Sequence, residues 1–203
     1  MASESGSGET SALTASPCCP RLARVFVALK IATEIADELA QIARELEQFP
    51  VRPIASADIH LTLVPPWNEV SMLDAVGKLR RVADRFGDFR LEIRHVGYGP
   101  EPRRRRFLWA ECAAGTDLAR LRAELLLAFG RTDERPFRPH VTLARLRGKG
   151  SVIARKYPID RELALTQRVG SVELMQSPAP GESGYKVLAS PLVGARPEAS
   201  SPA

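Results

Sequence analysis

The apolar and polar positions alternate between strand-like and helix-like spacing along the chain. Leu22–Leu29 is nearly continuous in apolar residues and predicts a buried strand. From Ile31 to Phe49 the spacing becomes helical, with Ile35, Leu39, Ile42 and Leu46 on one side, and Pro50 and Pro53 close that segment. Asp58–Val64 predicts a short strand stopped by Pro65-Pro66. A second helix is expected over Met72–Phe86, with Leu73, Val76, Leu79 and Val82 inward. Phe89–Tyr98 and Phe107–Ala113 predict strands, separated by the turn-forming Gly99-Pro100-Glu101-Pro102. A third helix runs to Phe129, capped by Thr116 or Asp117 and stopped by Gly130. Arg138–Arg145 is again a short strand, followed by a basic loop around Gly148-Lys149-Gly150 and a helical turn. Strands at Val169–Ser177 and Tyr185–Ala189 complete the pattern. Strand–helix–strand–helix thus occurs twice, which suggests an internal duplication. Residues 1–20 and 194–203 offer little to bury and read as disordered tails around a single domain at 21–193.

The two halves share one tetrapeptide pattern. His60-Leu61-Thr62-Leu63 and His140-Val141-Thr142-Leu143 lie eighty positions apart, and they contain two of the chain's three histidines. In a strand, residues two apart project from the same face. Each motif therefore offers an imidazole and a hydroxyl on one face and apolar anchors on the other. If the strands lie side by side, the imidazoles flank one cleft. Opening a cyclic phosphodiester needs a base for the attacking water and an acid for the departing ribose oxygen, and imidazole serves either role near neutral pH. The hydroxyls of Thr62 and Thr142 suit the nonbridging oxygens, where charge builds up. Arg145 adds a charge-assisted contact if the strand bends after Thr142, since its parity otherwise differs.

Other candidates carry weaker signals. His95 shares parity with Leu91 and Ile93 and reads as a packing residue. Arg103–Arg106 fits an RNA-phosphate grip or a solvated hairpin tip equally well. Trp109 reads as core, while Trp67, Phe137 and Tyr185 are candidates for stacking on a base. Gly148-Lys149-Gly150 lacks the pattern of a phosphate-binding loop.

Composition narrows the function classes modestly. The 203 residues are 44% hydrophobic and 26% charged, an ordinary globular balance. The net charge of +5 attracts polyanions without choosing among them. Cys18, Cys19 and Cys112 show neither a disulfide framework nor metal-ligand spacing, so a reducing cytoplasm is expected. No apolar run approaches a membrane span, and the first twenty residues contain no Lys or Arg, unlike a signal or transit peptide. No motif indicates a nucleotide cofactor, the chemistry needs no metal, and a monomer is expected because no long heptad pattern occurs.

The chain resembles the LigT-like branch of the 2H phosphoesterases, the RNA 2′,3′-cyclic phosphodiesterases. The likeness rests on Arg24–Leu29, His60–Leu63, Arg106–Ala110, Arg135–Arg145, Val172–Ser177 and Gly184–Leu188. It implies a bilobal, pseudo-twofold α+β fold with two antiparallel sheets facing a central cleft and helices outside. It further implies hydrolysis of a terminal 2′,3′-cyclic phosphate to a 2′-phosphomonoester, on RNA ends or cyclic nucleotides. In that scheme His60 is the proton donor to the 3′ oxygen and His140 the base for water. Two alternatives use the same residues: a 2′–5′ RNA ligase, or an RNA-binding module without turnover. Where the family has a Phe-Leu-Gly-like segment after its first motif, this chain has Val64-Pro65-Pro66-Trp67.

Overall fold

The computed structural model describes residues 22–194. The expected tails therefore lie outside the described residues, apart from Gly194. In chain order the elements are β1 (Ala23–Lys30), α1 (Thr33–Arg44), β2 (Val51–Pro53), a 3₁₀ turn (Ser56–Asp58), β3 (His60–Glu69), α2 (Met72–Ala83), β4 (Phe89–Gly99) and β5 (Phe107–Cys112). There follow α3 (Thr116–Ala128), β6 (His140–Leu146), α4 (Gly150–Lys156), β7 (Arg161–Val169), β8 (Glu173–Gln176) and β9 (Lys186–Ala189).

The strands form one antiparallel ladder in the order β7-β4-β5-β6-β3-β1-β8-β9, with β2 added alongside β6. The two expected sheets are the four-stranded halves of this ladder. They meet at a narrow seam, where β3 pairs with β6 only at Leu61↔Val141. Each half places its histidine strand at that seam, the second through the unit β5-α3-β6 and the first through β1 and α1, then β2 and the 3₁₀ turn, before β3. The ladder curls without closing: the Gln167 amide on β7 donates to Lys30 O and accepts from Ala32 N, each at 2.9 Å, at the end of β1. One hydrophobic cluster spans both halves, from Val27, Leu29 and Leu39 to Leu91, Leu121 and Leu143.

Local chemistry explains where the elements differ from expectation. β3 continues through Pro65-Pro66 to Glu69, because the ladder with β1 is irregular there: Val27 faces Val64, whereas Val25 faces Trp67. The extra residue falls at the prolines, which lack an N–H for the ladder. α1 loses its α-helical bonding after Arg44, but tighter turns such as Leu46 N→Ala43 O (3.1 Å) carry the chain on and keep Leu46 buried. Leu73 points outward and is 88% exposed; the buried stripe of α2 is Ala75, Leu79 and Val82. The N-cap of α3 is Gly115 rather than Thr116 or Asp117, and Gly130, at φ +58, stands beyond its last turn. β2 and β7 are unexpected strands, and β8 begins only at Glu173.

Ser71 caps α2, with its hydroxyl accepting from Asp74 N at 3.3 Å. Ser71→Ala is expected to cost about 1 kcal/mol of unfolding free energy. Urea denaturation would show this as a lower midpoint at unchanged slope, and an unmoved midpoint would refute the cap.

Candidate active site

Because β3 and β6 run antiparallel through Leu61↔Val141, continuing that register sets His60 opposite Thr142 and Thr62 opposite His140. Leu61 and Val141 are fully buried, so these four polar side chains share the opposite face. The histidines are diagonal neighbours, a relation that spaces side-chain roots by roughly 7–8 Å in an antiparallel pair. A cavity of about 80 Å³ between them is lined by Ile54, His60, Thr62, His140, Thr142, Arg145 and Tyr185.

Arg145 reaches this cavity through a bulge. Trp109 of β5 faces Thr142, yet the next residue, Leu108, faces Ala144. Leu143 is the extra residue, and skipping it moves Arg145 onto the face of Thr142. β3 contains the corresponding irregularity, with Ala28 opposite Thr62 and Val27 opposite Val64. Three positions after its threonine, however, the first motif has Pro65. The pocket is therefore symmetric in imidazole and hydroxyl but has one guanidinium.

Both imidazoles are held the same way. His60 Nδ1–H donates to the Asp58 carbonyl at 2.6 Å, and His140 Nδ1–H donates to the Arg138 carbonyl at 2.7 Å. A carbonyl only accepts, which fixes the proton on Nδ1 and leaves Nε2 free for chemistry. Aromatic rings then fix the ring planes. His60 lies 5.0 Å from both the Phe26 and Tyr185 rings, and His140 lies 4.3 Å from Trp109, centroid to centroid. The Trp109 indole lies over Gly99, where any Cβ would collide with it. Arg138 covers Trp109 at 5.4 Å from the ring centroid and binds Glu111 at 3.1 Å.

This packing also sets the acidity of the pair. Burial pushes the His60 pKa below its ordinary 6.5, opposed by the Asp58 carbonyl and carboxylate and reinforced by the nearby Arg145 and His140 charges. Burial likewise lowers the His140 pKa, with the Arg138 carbonyl and Glu111 acting upward and the Arg138 guanidinium downward. Both Nε2 atoms therefore favour the neutral form at physiological pH, poised to exchange protons with a bound group.

The structure brings together His60, Thr62, His140, Thr142 and Arg145 as the sequence led us to expect, and adds Tyr185, a stacking candidate, and Ile54, which carried no signal. Tyr185 is tied down by its N–H, which donates to Asp58 Oδ1 at 2.9 Å. Trp109 is buried as expected, but against His140 rather than within the main cluster. Trp67 packs on Phe129 and Phe137 lies under Arg122, so neither lines the cavity. His95 sits at an irregularity of β4 and pairs with Asp160 at 2.5 Å instead of packing in the core. Among the described residues no three His, Cys, Asp or Glu side chains converge as metal ligands, and no helix is long and apolar enough to cross a membrane.

Known proteins share this architecture. The chain is 36% identical over 131 residues to an RNA 2′,3′-cyclic phosphodiesterase of Aeropyrum pernix, covering 62% of this chain and 73% of that one. It is 28% identical over 148 residues to the protein of the same name from Archaeoglobus fulgidus, covering 66% and 80%. Among solved structures, E. coli LigT complexed with NADP+ superposes with a TM-score of 0.65 at 26% identity, covering 86% of this chain and 99% of LigT. TT0787 of Thermus thermophilus superposes with a TM-score of 0.71 at 23% identity, covering 84% and 97%, and shares the fold. Residues 53–177, which contain both histidine strands and their seam, match the 2′-5′ RNA ligase superfamily, and the chain belongs to that LigT-like family.

Proposed function

We propose that this protein hydrolyses the 2′,3′-cyclic phosphate at the end of an RNA to a 2′-phosphomonoester. The observation that carries the reading is the pair of free imidazole Nε2 atoms across one small cavity that also holds two hydroxyls and a guanidinium. The relatives named RNA 2′,3′-cyclic phosphodiesterase supply the substrate class.

In the proposed reaction, His140 Nε2 takes a proton from water as its oxygen bonds to phosphorus. The P–O3′ bond breaks, its electron pair stays on O3′, and His60 Nε2–H supplies the proton. Water is thereby divided between the phosphate and the ribose, and the imidazoles exchange protonation states. Thr62, Thr142 and Arg145 bind the nonbridging oxygens, where charge grows in the transition state. The neutral forms favoured by burial suit the base directly. The acid gains its proton when the anionic phosphate enters beside it, since a nearby anion favours the imidazolium.

The test is to incubate the protein, with a chelator present, with an RNA oligomer ending in a 2′,3′-cyclic phosphate, and to separate the products against 2′- and 3′-phosphate standards. A 2′-phosphate is expected. A 3′-phosphate would reverse which ribose oxygen departs, and an unchanged substrate with folded protein would overturn the hydrolase reading.

A further inference from the structure

β2 is only three residues long, but its register places a charge beside the catalytic cavity. Arg52 faces Arg145 across β2–β6, and Phe107 faces Arg145 across β6–β5. Paired residues of an antiparallel ladder share a face. Ile54, two positions after Arg52, lines the cavity, which places Arg52 on the same side. A strip therefore leaves the cavity in the order Arg145, Arg52 on one flank and Phe107 on the other.

Two guanidiniums directly opposite each other in a ladder repel. Some arginines of the described residues are neutralised by carboxylates, such as Arg122 by Asp133, Arg138 by Glu111, Arg161 by Glu45 and Arg168 by Asp88. Others, such as Arg44 and Arg147, have no ion pair there; what singles out Arg52 is its place directly opposite Arg145. None of the ion pairs among the described residues involves Arg52 or Arg145, and both are exposed. Phe107 is half-buried and, among the described residues, stands apart from both hydrophobic clusters. The reacting phosphate satisfies Arg145 alone. A second anion one ladder step away would satisfy Arg52, and the Phe107 ring on the opposite flank of Arg145, two strand spacings or roughly 10 Å across the sheet from Arg52, suits a base.

We propose that Arg52 and Phe107 form a second nucleotide subsite, in which Arg52 binds the phosphodiester that precedes the cyclic end and Phe107 stacks on the base of the penultimate nucleotide. This rests on the hydrolase reading and narrows it to oligonucleotide ends over free cyclic nucleotides. The basic turn Arg103–Arg106 leads into Phe107 and continues the positive surface outward. Sequence-independent stacking and a phosphate contact together recognise single-stranded RNA without reading its bases.

The test compares kcat/KM for a trinucleotide ending in a 2′,3′-cyclic phosphate with that for 2′,3′-cyclic AMP, which has no preceding phosphodiester. The wild-type ratio of trinucleotide to mononucleotide should be well above one. Arg52→Gln and Phe107→Leu should each lower that ratio roughly tenfold, the effect of about 1.4 kcal/mol. Raising the salt should lower the ratio in the wild type and have less effect in Arg52→Gln. A wild-type ratio near one, or a ratio that neither substitution changes, overturns the subsite. Equal losses on both substrates in Arg52→Gln would also overturn it, because they would mean that Arg52 acts through Arg145 on the reacting phosphate. A wild-type protein that turns over neither substrate overturns the hydrolase reading itself.

Discussion

His140→Ala is expected to lower the rate of cyclic-phosphate hydrolysis by about 10²–10⁴-fold, and His60→Ala to do the same, the usual contribution of one positioned acid or base. The losses should part company when the leaving group changes. With sulfur in place of the 3′ oxygen, the departing thiolate is a weak base and needs little protonation. His60→Ala should then recover most of its rate relative to the wild type, because the step that it assists has become easy. His140→Ala should stay slow, since water must still lose its proton. Recovery in His140→Ala instead would exchange the two roles, and equal recovery would argue that neither histidine is committed to one role. Both imidazoles are half-buried and packed on rings, so circular dichroism should confirm that each variant keeps its fold. A double variant should lose far less than the product of the single losses if the two histidines act in one concerted step.

Much of this site was legible because the chemistry is local to two strands. The His-x-Thr alternation placed imidazole and hydroxyl on one face, and a seam pairing at Leu61↔Val141 sufficed to oppose them. Arg145 was harder, since strict alternation sends it to the wrong face. The signal was present all the same: Leu143-Ala144 and Leu63-Val64 each put two buried residues in succession, which breaks the two-residue period where the bulges occur. What the sequence hid depends on contacts from distant segments. Ile54 follows a three-residue edge strand that owes its existence to β6, and Tyr185, although a stacking candidate by type, owes its place at His60 to Asp58, 127 positions away. β7 reads as polar because it is an edge strand, exposed at most of its positions and paired only with β4. His95 was misplaced for the same reason as Arg145, since the irregularity between Ile93 and His95 breaks the parity that suggested packing.

The acidity of the pair makes a second prediction, on the pH dependence of kcat/KM, which reports the free enzyme. The base must be neutral, so activity rises with pH through the His140 pKa. The acid must be protonated, so activity falls as pH rises through the His60 pKa. Burial lowers both values below 6.5. Both limbs therefore move to the acid side, and the bell should centre below pH 6.5. By pH 8.5 the rate should stand more than about twentyfold below its maximum, because each further unit removes a factor of ten from the protonated form of the acid. The measurement should hold ionic strength constant, since the proposed contact between Arg145 and the phosphate would be salt-sensitive. A rate that stays level or rises through pH 8.5 would contradict the two-imidazole mechanism and would point to hydroxide as the attacking base. The limbs also belong to named residues. Residual activity in His60→Ala should lose the alkaline fall, residual activity in His140→Ala should lose the acid rise, and the 3′-sulfur substrate should flatten the alkaline limb even in the wild type. A single cause, the proton on His60 Nε2, would then account for the leaving-group and pH effects together.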